Sequence, residues 1–284
     1  MNEWSEWIGR QEHRADRVDE AHVNHWLATL DRVASADSAV PQAFHWCLCL
    51  PDSATADLGI DGHAKRNDSP QSFLPPVALP RRMWASSAVE FHKPLLVGEA
   101  VRRIAKVSSI KAKQGASGSL VFVELAHEIH GASGLAVSET QSIVYKEASA
   151  PGGAVIPPPL GDGQFNISAW HAHRLVVPTE PLLFRFSALT FNSHRIHYDL
   201  PYAKDAEGYR GLVVHGPLTA TLLLNLAARE FGDNALNSFT FRGNSPAICG
   251  EELHLVLRRS GDGVELGAFA NDGRNIMGAN ATLK

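Results

Sequence analysis

The stretch Ser187-Ala-Leu-Thr-Phe-Asn192-Ser-His194-Arg195-Ile-His197-Tyr198-Asp199, followed closely by Gly211-Leu-Val-Val-His215-Gly216-Pro217-Leu218, organises the chain. Asn192, His194 and His197 fall within six residues of one another. The Gly216-Pro217 step opens an apolar run that reaches Phe231. Proline suits a first helical position, because it lacks an N–H that would go unpaired there. The run Pro217–Phe231 therefore reads as a helix, apolar almost all round and buried on most sides. Proton-carrying side chains beside a helix N-terminus suit chemistry on a polarised carbonyl.

Outward from this stretch the pattern changes to period two. Ser238–Arg242, Glu251–Arg259, Val264–Ala270 and Ile276–Leu283 alternate as strands, with turns at Pro246/Gly250, Gly261-Asp-Gly263 and Asp272-Gly273. On the other side, His171–Val177 and Leu182–Phe186 also read as strands. Residues 150–164, with Pro157-Pro158-Pro159 at their centre, form a stiff linker. They divide the chain into an expected first domain, 1–149, and a second, 165–284. The first domain repeats the grammar. Residues 19–34 carry Val23, Trp26, Leu27, Leu30 and Val33 at helical spacing behind Asp19, a plausible N-cap. The short run Ala43–Leu50 fits strand or helix. Ser86–Phe91, Glu99–Lys111, Ser119–His130 and Leu135–Tyr145 are long strands of a meander. Between them and the helix lies a long loop, residues 51–80, rich in Pro, Asp, Gly and Ser. Such a loop can be a lid or binding segment, or a surface loop without a task. A curved sheet around a buried helix would satisfy both halves, which makes the class α+β.

Composition narrows the function classes. The 284 residues carry 26 Lys and Arg against 30 Asp and Glu, so no basic footprint for nucleic acid is expected. No stretch is long and apolar enough to predict a membrane span, and the polar, acidic start is unlike a signal peptide. The three cysteines, Cys47, Cys49 and Cys249, are odd in number and lack zinc spacing. They read as small buried hydrophobes in a reducing, cytoplasmic setting.

The motif stretch resembles the hydratase-2 (MaoC-like) family, in its double-hotdog branch. That branch includes type-2 hydroxyacyl-thioester dehydratases, mesaconyl-C4-CoA hydratases and itaconyl-CoA hydratases. The resemblance rests on Asn192-x-His194-x-x-His197-Tyr198-Asp199 and His215-Gly216-Pro217-Leu218. It extends through Trp7-Ile-Gly-Arg10, Leu79-Pro-Arg-Arg-Met-Trp84, Phe91-His-Lys-Pro94, Glu139-Thr-Gln-Ser-Ile-Val-Tyr145 and Phe239-Thr-Phe-Arg242. It implies a double hotdog whose first half lacks the catalytic motif and helps shape the acyl pocket. The general family motif has an Asp and a His with four residues between them. Here those positions are Asn192 and His197, and the family's intervening Asn is His194.

Hydration of an α,β-unsaturated thioester needs a proton acceptor for water, stabilisation of the enolate oxygen, and a proton for the α-carbon. His197 is the expected proton-transfer group, since imidazole titrates near neutrality. Asn192 cannot act as a base but can position the water. His194 can share proton transfer or orient its neighbours; a metal at His194 and His197 would need a third ligand that the sequence does not obviously supply. The N–H of Gly216 is the oxyanion donor candidate. His215, Tyr198 and Asp199 are weaker candidates. A dicarboxyl substrate would call for an arginine, and Arg195, Arg242, Arg81 and Arg82 all lie in the resembling segments, where they could equally grip CoA phosphates. The expected activity is reversible hydration of a C5-dicarboxyl-CoA, itaconyl-CoA or mesaconyl-C4-CoA to citramalyl-CoA, by a homo-oligomer with no cofactor and no metal. Two alternatives stay open: a 3-hydroxyacyl-thioester dehydratase of fatty-acid synthesis, and a non-catalytic acyl-CoA-binding hotdog.

Overall fold

The computed structural model describes residues 3–33, 38–115, 118–148 and 154–284. Ten antiparallel strands form one continuous sheet in the order β1-β3-β4-β5-β2-β7-β10-β9-β8-β6. The first half supplies β1 (Gln11–Arg17), β2 (Arg81–Phe91), β3 (Ala100–Gly115), β4 (Gly118–Gly131) and β5 (Gly134–Lys146). The second supplies β6 (Ala172–Val176), β7 (Leu236–Gly243), β8 (Leu253–Ser260), β9 (Gly263–Ala270) and β10 (Asn275–Leu283). The halves join where β2 pairs with β7, from Ser86 opposite Arg242 to Glu90 opposite Ser238. Trp46 seals this seam, its ring against Trp84 of β2 at 5.6 Å and Phe241 of β7 at 5.8 Å.

The second half wraps α3, Gly216–Phe231, as its sequence predicts. Every residue from Leu218 to Ala227 is buried, and the helix packs against β6, β8 and β9. The first half differs. Its helix α1, Glu20–Thr29, is shorter, and Asp19 caps it by accepting the His22 N–H at 3.0 Å. It buries Val23, Trp26 and Leu27 but ends before Val33, which is exposed. Ala43–Leu50 resolves into a 3-10 turn, Phe44–Cys47. Residues 51–80 hold only one further 3-10 turn, Thr55–Asp57, and Pro70, Pro75, Pro76 and Pro80 keep their last third from forming a helix. Phe73, Leu74, Val77 and Leu79 instead lie over Val107, Ile110, Val121, Val123 and Tyr145, with Trp4 and Trp7 beside them.

Two other elements depart from the sequence reading. Leu182–Phe186 is not a strand but part of helix α2, Glu180–Leu189. Thr179 caps it through the Leu182 N–H, Pro181 occupies its first turn, and Leu183, Phe186 and Leu189 are the buried face at helical spacing. Strand β1 has no apolar alternation to announce it and is an edge strand paired only with β3. In the Pro/Gly stretch 150–164, residues 150–153 lie outside the described residues; the remainder runs along the second half, Ile156 bonding to Gly208 and Arg210, and Pro158 accepting from Arg274. Among the described residues, no helix is long and apolar enough to cross a membrane.

Candidate active site

The motif stretch turns sharply as α2 ends. The Asn192 N–H returns to the Ser187 carbonyl at 2.8 Å, and the Asn192 side-chain oxygen accepts the His194 N–H at 2.9 Å. This Asx turn launches the 3-10 turn Arg195–His197. His197 is buried, and its Nδ1–H donates to the Val213 carbonyl at 2.7 Å. That bond fixes the tautomer, leaving Nε2 as the acceptor. Among the described residues, Nε2 has no hydrogen-bond partner. Val213 in turn donates its N–H to Ile196 at 2.9 Å, so the motif is clamped to the segment that starts α3.

His215 lies beneath, its ring stacked on His197 at 3.6 Å and its Nε2 within 2.8 Å of Ser187 Oγ. His194 crosses His197 edge-on at 5.4 Å. The N–H of Gly216 is one of the helix-start donors without an intrahelical partner. A Cβ at Gly216 would find the Trp84 carbonyl of β2 as its nearest neighbour outside the helix, at 4.0 Å.

All three histidines are held neutral. Burial, then the neighbouring His194, pushes His197 down to about 3. Burial does the same for His194, to about 3, reinforced by His63, Arg82 and His215 and opposed by Asp61. His215 is pushed well down by burial and by His197. The site therefore presents neutral imidazoles in dry surroundings, good acceptors that resist holding a charge.

Of the arginines the sequence singles out, three are committed or turned away. Arg195 pairs with Asp199 at 2.7 Å, donates to the Ile60 carbonyl at 2.9 Å, and stacks over Tyr202 at 4.2 Å. Arg81 is paired with Glu207 at 2.8 Å. Arg242 is exposed, on the face of β7 opposite the buried Phe241. Arg82 stands opposite Tyr145 in the β2–β5 register, so both side chains leave the same face of the sheet, and its charge acts on His194. Among the described residues Arg82 has no hydrogen-bond or ion-pair partner. Tyr198 is half exposed and donates to the Ser193 carbonyl at 3.1 Å, closing the turn.

The sequence reading missed two members of the site, Asp61 and His63. The long loop of the first half docks on the motif: Arg195 donates its N–H to the Asp61 carbonyl at 2.9 Å, and Ser193 Oγ donates to the Gly62 carbonyl at 2.6 Å. Gly62 has φ +85°, and a Cβ there would stand 1.9 Å from the Ser193 oxygen, so only glycine allows the contact. The flanking residues face inward. His63 Nδ1–H donates to Asp61 Oδ2 at 3.0 Å, and the His63 ring lies 4.0 Å from that of His194. Asp61, His63 and His194 offer donor atoms within 4.8 Å of one another, the grouping of the described residues that could hold a cation. Two of those donors are already joined by the Asp61–His63 hydrogen bond. The only sequence signal was an acid and a histidine flanking a glycine, some 130 residues upstream of the motif.

Comparison with known proteins bears on this geometry. Residues 43–249 match the family model for hydroxyacyl-thioester dehydratase type 2. The chain is 41% identical to the mesaconyl-C(4)-CoA hydratase of Chloroflexus aurantiacus, across 99% of this chain and 98% of that one. In fold it is similar to HtdX of Mycobacterium tuberculosis, with a TM-score of 0.69 at 17% identity over 97% of this chain and 100% of that one. It is also similar to a second M. tuberculosis protein described as a double hotdog, with a TM-score of 0.58 at 14% identity over 96% and 95% of the two chains. The chain belongs to the hydroxyacyl-thioester dehydratase type 2 family and is a hydro-lyase of double-hotdog fold.

Proposed function

We propose that the chain reversibly adds water to a C5-dicarboxyl enoyl-CoA, mesaconyl-C4-CoA or its isomer itaconyl-CoA, giving citramalyl-CoA. The near-full-length identity to a mesaconyl-C(4)-CoA hydratase supports the substrate class. The observation that carries it is Arg82, a guanidinium without a partner among the described residues whose charge reaches His194. Buried carboxylates need a cation, and a planar guanidinium is the natural one. In mesaconyl-C4-CoA the free carboxylate sits on the carbon that water attacks, so its cation must stand close to the water site.

In this reading the amide of Asn192 and Nε2 of His197 hold the water. His197 Nε2 draws the O–H as oxygen attacks the β-carbon, an assistance worth roughly 10²–10⁴-fold. The thioester oxygen, gaining enolate charge, faces the Gly216 N–H at the positive end of α3, worth roughly 10²–10³-fold. His194 lies next in line for the proton, and His215 supports the His197 ring from below. The first half, 1–149, shapes the pocket, and 165–284 carries the catalytic motif. A homo-oligomer in the cytoplasm completes the proposal. The open edges at β1 and β6 offer surfaces for association, and the unpaired thiols of Cys47, Cys49 and Cys249 fit a reducing compartment.

The test of substrate class is Arg82→Gln. We expect KM for mesaconyl-C4-CoA to rise at least tenfold while crotonyl-CoA, which lacks the second carboxylate, is turned over as before. An equal effect on both would assign Arg82 to the CoA phosphates instead.

A further inference from the structure

The motif segment has lost the carboxylate that would balance a proton. Asn192 stands at that position, and His197 hydrogen-bonds a neutral carbonyl rather than an acid. A proton taken from water would leave an imidazolium in a dry stack of three histidines, with nothing at His197 to compensate it. The carboxylate whose charge acts on this stack is Asp61, from the other half of the chain.

We propose that Asp61 and His63 form the acid–base pair of the reaction, with His63 as the catalytic residue and Asp61 as its positioning residue. The assignment rests on the hydration chemistry proposed above and deepens it.

Three observations carry it. First, Asp61 brackets His63 from two sides. One carboxylate oxygen takes the His63 backbone N–H at 3.0 Å and the other takes Nδ1–H at 3.0 Å. That fixes the tautomer and leaves Nε2 as the working nitrogen. Second, the pair is carried on backbone docking, through Asp61 O, Gly62 O and Ile60 O. Docking on the motif is thus made by backbone carbonyls of the loop, while the Asp61 carboxylate also holds its own turn through the His63 N–H. Third, the His63 ring lies 4.0 Å from that of His194, which crosses His197 at 5.4 Å, so the pair stands one ring away from the water site. Burial pushes the Asp61 carboxyl up, but His63, a backbone N–H and His194 outweigh it and hold it at about 2, so the carboxylate is charged throughout the working range. The other charges facing this group are Arg66, which Asp61 acts on, Arg82, which acts on His194, and Arg195, which Asp199 neutralises.

The step balances as follows. The water oxygen bonds to the β-carbon as its O–H breaks. The proton comes to rest on His63 Nε2, and Asp61 balances the imidazolium. The π electrons of the double bond move to the α-carbon and thioester oxygen. His63 then returns a proton to the α-carbon, restoring the neutral ring and completing the adduct.

The experiment compares wild type with Asp61→Asn, His63→Gln and His63→Gly in steady-state hydration of mesaconyl-C4-CoA and crotonyl-CoA, each variant checked by thermal melting. We expect kcat to fall by roughly 10²–10⁴-fold in each variant with KM within a few-fold. We also expect free imidazole to restore part of the activity of His63→Gly, and to restore none when Asp61→Asn is added. A folded Asp61→Asn and His63→Gln retaining kcat within threefold of wild type would overturn the pair and reduce it to a loop clasp. Activity lost to a chelator and regained with Zn²⁺ would overturn it in favour of a cation on the same donors. Wild type active only on crotonyl-CoA would sink the dicarboxyl substrate while the variants still tested the pair. Wild type inert on both would sink the hydration reading and the pair with it.

Discussion

The two halves each follow a strand and a short helix with a 3-10 turn that carries a histidine, and they use it in opposite ways. In the first half the turn Phe44–Cys47 brings His45 to Glu139 of β5. Glu139 is buried and fully engaged, accepting from Trp46 Nε1 at 3.1 Å and from Ser87 Oγ, with His45 Nε2 at 3.6 Å. Trp84 Nε1 closes the network by donating to Ser87 Oγ at 2.9 Å. In the second half the turn Arg195–His197 brings His197 to a carbonyl and leaves Nε2 without a partner among the described residues. A satisfied buried carboxylate makes a rigid seam. An imidazole with an open acceptor makes a place for water. The difference lies in which hydrogen bonds are completed, not in the local backbone.

Substitutions at the two turns can break this contrast. The largest effect is expected at His197→Ala, where kcat should drop roughly 10²–10⁴-fold in a protein that still melts cooperatively. His45→Ala should leave kcat per folded molecule within a few-fold of wild type. Next is Glu139→Ala, which removes the acceptor of Trp46 Nε1–H and Ser87 Oγ–H and the charge facing His45. Urea unfolding should report a loss of about 3–5 kcal/mol, with normal turnover in what remains folded. A Glu139→Ala protein of full stability and no activity would place chemistry at the Phe44–Cys47 turn and end the contrast.

The smallest expected effect is a pH dependence that sharpens it. His194 and His197 fall from the usual 6.5 to about 3 in the folded chain. Their folded values are depressed, so the stability they contribute is fully present above about 6.5 and drains away as pH falls toward about 3, as the unfolded chain takes up protons first. Burial pushes Glu139 up, but His45, His127 and Ser87 outweigh it and hold it below the usual carboxylate range. Its share is therefore lost only at lower pH, below the ordinary carboxylate value. Unfolding free energy should decline on acidification from pH 6.5 to 5, by about 1.4 kcal/mol per pH unit for each buried histidine. His197→Gln should remove about one proton from that slope, and Glu139→Gln should not change it in this window.

Much of this was legible before the fold. Period-two alternation located eight of the ten strands closely, because each of those strands buries one face. The all-apolar run after Gly216 located α3 for the same reason. Asn192, His194 and His197 share one turn, and His215, just before Gly216, stacks on His197. What failed to show was whatever depends on distant partners. Strand β1 is polar on both faces and exists through its pairing with β3. Helix α2 looked like a strand because Leu182, Phe184 and Phe186 alternate, and the capping by Thr179 decided otherwise. Setting Arg82 apart from Arg195 and Arg81 required seeing which guanidinium the acids had left alone, and from Arg242 which face of β7 it leaves. Asp61 and His63 sit in a loop whose composition says only that it is not a helix, and their role comes from the surface on which that loop lands.

The most direct test of the central claim is mass-spectrometric detection of a water adduct after incubation with mesaconyl-C4-CoA and itaconyl-CoA, run beside crotonyl-CoA. The account predicts an adduct on the C5-dicarboxyl thioesters that disappears in His197→Ala. Turnover of crotonyl-CoA and longer acyl chains alone would contradict it and move the enzyme to fatty-acyl dehydration. No adduct on any thioester would make the chain a binding module.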